Sequence, residues 1–379
     1  MSKNRFMKLF LHTVFLLAVF SFITSCKGNN DFDYEYQRPE LLNDGWQVST
    51  LENEGIDEDG IRDLMNLIHS DYDFMYSLLI VRNGKLVLEE YFGECSRGWL
   101  FPIQSSTKSF AAALIGIALD QGFISSVDEP IVTFFPEYLY LFDSTKETVT
   151  LRHVLMMAAG FDWNELYVPY SNPNNDNYIG NEASNYIEYA LSKSVVDMPG
   201  TFWNYNSGCS IILGGIIKNT TSMPADEFAE TYLFQPLGNI PYDWWIMNGD
   251  VVSTHGGLSL LARDMAKFGQ LHLENGTWNG QRIISEQWVT ESTSAHIPRT
   301  DVACYDDINS KYGYQWWLDT VNGHEVYYTS GLGGQFIFVI SDLNLVVITT
   351  AETGSDPIFG QQHEQVRSLL GEYILPIVK

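Results

Sequence analysis

Apolar and polar positions along this chain change their period twice. Residues 56–69 carry apolar side chains at helical spacing and predict an amphipathic helix. Two apolar runs of strand length follow, 77–81 and 85–91, on either side of Arg82-Asn83-Gly84. An Asn-Gly pair between such runs predicts a type I′ hairpin, whose two central residues need positive φ. From Ser105 to about Gln121, the apolar residues Phe110, Leu114, Ile117 and Ala118 recur at helical spacing, predicting a central helix buried on most sides. Further helical stretches are expected over 151–159, 185–192, 209–218, 225–234 and 258–271. The strand period then returns over 325–329, 336–340 and 345–350, ahead of a last helix over about 362–375. The pattern predicts an α+β fold: N- and C-terminal strands join into one antiparallel sheet flanked by helices, with a large, mostly helical region inserted at about 122–320. Residues 165–182 fit neither period. They are rich in Asn, Tyr and Pro, and a loop this long inside a domain predicts a substrate-facing lid, which makes Tyr170 a cleft candidate.

The first 25 residues stand apart from the fold. Lys3, Arg5 and Lys8 precede an apolar stretch over 14–23 that is short for a membrane span. The segment ends Ile23-Thr24-Ser25-Cys26, which resembles the lipobox of bacterial lipoproteins. The resemblance implies cleavage before Cys26, acylation of that residue, and a lipid-anchored place in a bacterial cell envelope, periplasmic or at the outer-membrane surface. The polar, acidic stretch that follows reads as a flexible tether over 26–48, leaving 49–379 as the folded domain. Loss of the segment removes three positive charges and moves the formal net charge from −26 to −29. Phosphates would be repelled from most of such a surface, so nucleic acid is excluded as a partner. Membrane contact is left to the acyl chains on Cys26. Cys95, Cys209 and Cys304 match no zinc spacing and read as buried free thiols; no metal or cofactor is expected.

Candidate chemistry centres on Ser105-Ser106-Thr107-Lys108, at the opening of the central helix. A serine hydroxyl needs a neighbour to take its proton, and residues three apart on a helix share a face. A helix N-terminus also offers N–H groups to a developing oxyanion. Singly, Ser105 reads as a helix cap, Lys108 as a solvated residue and Tyr205 as a core aromatic. In order with Tyr205-Asn206-Ser207 and Thr329-Ser330-Gly331, they resemble the serine β-lactamase and penicillin-binding-protein superfamily. The similarity is to its class C-like branch, with D-amino-acid peptidases, β-lactamase-like esterases and 6-aminohexanoate-dimer hydrolases. Supporting stretches are Thr150-Leu151-Arg152-His153, Met198-Pro199-Gly200, His255-Gly256-Gly257-Leu258, Arg263-Asp264, Tyr312-Gly313-Tyr314 and Gly333-Gly334-Gln335.

This resemblance implies a β-lactamase-like fold and an acyl-enzyme on Ser105. Lys108 would hold or relay a proton, and Tyr205 would activate Ser105 or protonate the leaving group; which of the two is the base stays open. The backbone N–H groups of Ser105 and Leu332 would form the oxyanion hole, with Gly331 allowing close approach and Ser330 beside the substrate. Ser207 would hydrogen-bond Lys108 or the substrate, and His255 would border the cleft. One departure narrows the chemistry. Relatives that act on β-lactams carry lysine, sometimes histidine, where this chain has Thr329. A neutral hydroxyl forgoes a charge-assisted contact to a substrate carboxylate worth about 1.5–3 kcal/mol. The expected activity is therefore hydrolysis of an ester or small amide. A D,D-peptidase or β-lactamase on peptidoglycan-like substrates is the alternative, and a non-catalytic binding module that kept the fold is a third.

Overall fold

Residues 34–299, 310–354 and 358–379 are described by a computed structural model of the chain. The signal segment, Cys26 and Cys304 lie outside the described residues. A nine-stranded sheet forms the backbone of the fold, and both ends of the sequence contribute to it. Met75–Arg82 pairs with Lys85–Tyr91 through the expected hairpin, with Asn83 at φ 51° and Gly84 at φ 74° as a type I′ turn requires. On its other side Met75–Arg82 pairs antiparallel with Leu345–Ala351, followed by Gln335–Ile340 and His324–Gly331. The N- and C-terminal strands thus close into one sheet. Gln335–Ile340 and Leu345–Ala351 are buried along their whole length, so helices cover both faces and their sequences are near-continuous in apolar residues. Helix Ala262–Leu273 lies against three of these strands.

Four strands extend the sheet beyond the expectation. Trp317–Val321, Lys311–Tyr312 and Ile297–Pro298 continue it on one side, and Gln47–Val48 adds a parallel edge beside Lys85–Tyr91. Three of them are two residues long, and Trp317–Val321 interrupts its apolar residues with Asp and Thr, so no apolar run marks them. The stretch 258–271 is also corrected. Leu258–Leu260 is a strand paired with Phe101–Pro102 and Tyr242–Trp244, and the helix begins only at Ala262.

Within the helical part, Thr107–Asp120 is buried from Thr107 to Ala118 and packs on helix Ser207–Thr221. Asn206 caps the latter, its side-chain oxygen accepting from the Cys209 N–H at 3.1 Å. The expected loop over 165–182 holds a helix, Asp176–Glu182, started by the Asn175 side chain accepting from Asn177 and Tyr178. The expected tether is corrected in its described part. Tyr34 is buried, the Tyr36 hydroxyl donates to the Val87 carbonyl, and the Trp46 indole donates to the Arg263 carbonyl, so residues from 34 onward are docked on the domain. Cys95 and Cys209 are free thiols, Cys209 fully buried and Cys95 only half-buried.

Candidate active site

A short turn, Gln104–Ser106, joins Phe101–Pro102 to the central helix and presents Ser105. Gln104 adopts left-handed backbone at φ 51°, a conformation costing a non-glycine residue about 1 kcal/mol, so the surrounding bonds must hold it. They do so on both sides. Ile103 N–H donates to the Leu258 carbonyl at 2.9 Å, and the Ser106 hydroxyl donates to the Gln335 carbonyl at 2.8 Å. Ser106 is buried while Ser105, one residue earlier, remains half-exposed to a cleft.

Lys108 sits one turn along the helix, with its ammonium nitrogen 3.0 Å from the Ser105 oxygen. The same nitrogen donates to the His255 carbonyl at 2.5 Å and lies 5.1 Å from the centre of the Tyr205 ring. Lys108 is 2% exposed, and burial pushes its pKa down to about 8 against an opposing pull from the Glu165 charge. Tyr205 comes from the segment just before helix Ser207–Thr221, and its ring is 5.9 Å from that of Trp317. The helix start and the segment before helix Ser207–Thr221 thus bring Ser105 and Tyr205 to the same Lys108 ammonium.

Two chambers open on Ser105. The larger, about 770 Å³, is walled by Val168, Tyr170, Tyr205, Trp317, Leu332 and His363 among others. The smaller, about 390 Å³, is more polar and includes Asn177, Asn181, Ser207, Trp245 and His255. Ser105, Glu165, Tyr170 and Leu332 line both. Tyr170 and His255, both cleft candidates from the sequence, are therefore on its walls. His255 is buried, and burial with the adjacent Lys108 charge holds its pKa well below the ordinary value, so the ring is neutral at pH 7. Ser330 faces the larger chamber and bonds His363 Nε2 at 3.2 Å; burial lowers the pKa of that histidine to about 4. Gly331 leaves no room for a side chain, since a Cβ there would stand 2.3 Å from the Ile103 carbonyl. This close approach sets Leu332 at the mouth beside the serine turn.

Two expectations change. Ser207 lines the smaller chamber but is not bonded to Lys108: its hydroxyl donates to Glu165 Oε1 at 2.6 Å and its N–H to Oε2 at 2.8 Å. Thr329, at the position tied to carboxylate recognition, is fully buried and donates to the Ser106 hydroxyl at 2.9 Å, behind Ser105 rather than in the cleft. The residue that sequence reasoning missed is Glu165. It is 1% exposed and reaches both chambers, yet in sequence it was only the first residue of an aperiodic loop. A carboxylate directly before a stretch without apolar period, followed by Asn175 as a helix cap, was the available signal.

Comparison with known proteins gives a consistent picture. The family model described as Beta-lactamase matches residues 75–370. A 6-aminohexanoate-dimer hydrolase from Paenarthrobacter ureafaciens is 26% identical over 291 residues, spanning 72% of this chain and 71% of that protein. Among solved structures, the octameric penicillin-binding protein homologue from Pyrococcus abyssi superposes with a TM-score of 0.64 at 18% identity, over 83% of this chain and 78% of the other. A family VIII carboxylesterase does so with a TM-score of 0.62 at 16% identity, over 88% and 100%. At these identities the structural likenesses speak for the fold alone.

Proposed function

The chain belongs to the Beta-lactamase family, and on that premise we propose that it hydrolyses an uncharged ester or small amide through an acyl-enzyme on Ser105. The observation that carries this reading is the 3.0 Å contact between Ser105 Oγ and a buried Lys108 whose pKa is pushed down to about 8. A lysine so placed is partly neutral near neutral pH and can take the serine proton as Oγ bonds to the substrate carbonyl carbon. The tetrahedral oxyanion then meets the N–H groups of Ser105 and Leu332. Tyr205 gives its hydroxyl proton to the departing oxygen or nitrogen and regains one from Lys108. Water cleaves the resulting ester by the reverse of these transfers.

The walls bear on substrate charge. Among the described residues lining the two chambers there is no arginine and no lysine, while Glu165 and Glu364 bring carboxylates. Apart from Lys108 behind Ser105, a substrate carboxylate, as on a β-lactam or a D,D-peptide terminus, would find no cation on these walls, which favours neutral esters and amides over the peptidase reading. Ser105→Ala should lower hydrolysis of a nitrophenyl ester at least about 1,000-fold. Wild-type turnover in that variant would overturn the proposal. We also infer anchoring through acylated Cys26, for which Cys26→Ala should release the protein from the membrane fraction.

A further inference from the structure

Glu165 is a buried carboxylate that the steps above do not use. Its two oxygens receive four donors: the Ser207 N–H at 2.8 Å, the Ser207 hydroxyl at 2.6 Å, the Trp163 indole at 2.8 Å and the Tyr170 hydroxyl at 3.3 Å. Its own carbonyl accepts from the Asn175 side chain at 2.9 Å, which ties it to the cap of the next helix. All four carboxylate donors are neutral groups. Burying an anion on neutral donors alone is costly, and an amide or hydroxyl would satisfy the same partners at lower cost. The charge therefore calls for a counterpart.

The Glu165 charge acts on the buried Lys108 ammonium, with no direct ion pair between the two. From its own turn that ammonium meets Ser105 Oγ, from the 203–206 segment the Tyr205 ring, and from the turn after Ser253 the His255 carbonyl. The titratable groups around the cleft besides Tyr205 are the Tyr167 and Tyr170 phenols, the His255 and His363 rings, both kept neutral by burial, Glu364 paired with Arg367 on the outer wall, and Glu165. We propose that Glu165 is a positioning residue for the reaction at Ser105: it fastens the 162–175 loop, with Tyr170, to the first residue of helix Ser207–Thr221, and it supplies the negative charge that opposes loss of the Lys108 proton. Ordering of the cleft wall and readiness of the base are thereby set by one side chain. The inference rests on Lys108 acting as the base of Ser105.

Glu165→Gln separates charge from packing. The carboxamide oxygen can face the Ser207 and Trp163 N–H groups, while its NH2 donates to the two hydroxyls, which rotate to accept. With the anion gone, Lys108 gives up its proton more readily, so the acid limb of kcat/KM for a neutral ester moves to lower pH by on the order of one unit. Thermal stability should stay within a few degrees of wild type. Glu165→Ala, which strands four donors, should lose stability and turnover together, and its residual activity should show the same displaced limb. An acid limb in Glu165→Gln at the wild-type pH overturns the assignment, as does a limb moved upward. Ser105→Ala run in parallel keeps the two failures distinct: retained turnover there defeats the functional reading itself. An inactive Ser105→Ala with an unmoved Glu165→Gln limb defeats only the role of Glu165.

Discussion

Lys108 and Arg263 are two cations buried to the same degree, 2% and 3% exposed, in different parts of the molecule, and they end in opposite states. Arg263 grips Glu89 with two parallel bonds of 2.8 and 2.6 Å, adds Asp44 at 2.7 Å, and donates to the Glu40 carbonyl at 2.8 Å. Despite burial, these partners raise its pKa and lock the charge. Lys108 has a hydroxyl and a carbonyl within bonding distance and one carboxylate acting from further off, and its pKa falls to about 8. Burial alone does not decide whether a cation is structural or reactive. Intrinsic basicity and the anions in direct contact do: a guanidinium keeps its proton and needs anions to offset its burial, whereas a buried ammonium with only partial compensation can release its proton.

The comparison breaks most sharply if Lys108 proves dispensable. Lys108→Met keeps the length and fills the apolar space but removes the proposed proton acceptor of Ser105, so kcat/KM for a neutral ester should fall about 1,000-fold or more. Activity within tenfold of wild type would mean another group takes the proton. The next largest effect belongs to the other cation and to a different observable. Arg263→Met takes from Glu89, itself 1% exposed at the side chain, the more buried of its two guanidinium partners, Arg97 remaining, and should cost about 3 kcal/mol in urea unfolding. Turnover per folded molecule should hold within a few-fold, because the network joins Glu40 and Asp44 to Glu89 and lies off the cleft. A stability equal to wild type would show that this network does not hold the 34–48 segment in place.

The two regions also differ in how far the sequence announced them. The Asn83-Gly84 hairpin, the three C-terminal strands and the serine helix were legible because each satisfies a local rule: a turn needing positive φ, an unbroken apolar run, a helical period. The Ser105, Lys108 and Tyr205 set was legible by motif order, with Lys108 placed on the serine side by helix geometry. Glu165 and the Arg263 network were not, because their partners lie 42 and 174 residues away and no local period encodes such pairs. The 34–48 segment misled for a related reason. Its composition is that of a tether, yet Tyr34, Trp46 and Asp44 each find a long-range partner on the domain. The two-residue strands escaped because they add backbone pairing to an existing edge without needing an apolar run of their own.

A smaller effect runs in the direction opposite to most core substitutions. An unfolded lysine titrates near 10.5 and the folded Lys108 at about 8, so between these values the unfolded chain holds more protons and stability rises with pH. Below pH 8 the folded protein carries the full penalty of a poorly compensated charge, about 3 kcal/mol for the shift, less roughly 1 kcal/mol for the bonds Lys108 makes. In the Glu165→Gln background, where no buried anion is left unopposed, Lys108→Met should therefore stabilise the protein by about 1–3 kcal/mol at pH 7, with the gain shrinking toward pH 10. A loss of stability at pH 7 would show that the ammonium is as well paired as Arg263 and would dissolve the contrast.

The smallest effect tests whether partner count or solvent shielding carries the contrast. Arg97 also bonds Glu89, at 2.8 Å, and reaches Glu40 at the same distance, but its side chain is 37% exposed. In count of partners it resembles Arg263; in exposure it does not. Water already solvates much of its charge and the second carboxylate is mostly in solvent, so Arg97→Ala should cost no more than about 1 kcal/mol. Raising salt should shrink that figure further while leaving the cost of Arg263→Met nearly unchanged. Equal costs for the two arginines would mean that the anions alone set the energy. Unequal costs in the stated order mean that pairing locks a charge only where burial has first removed the alternative of water.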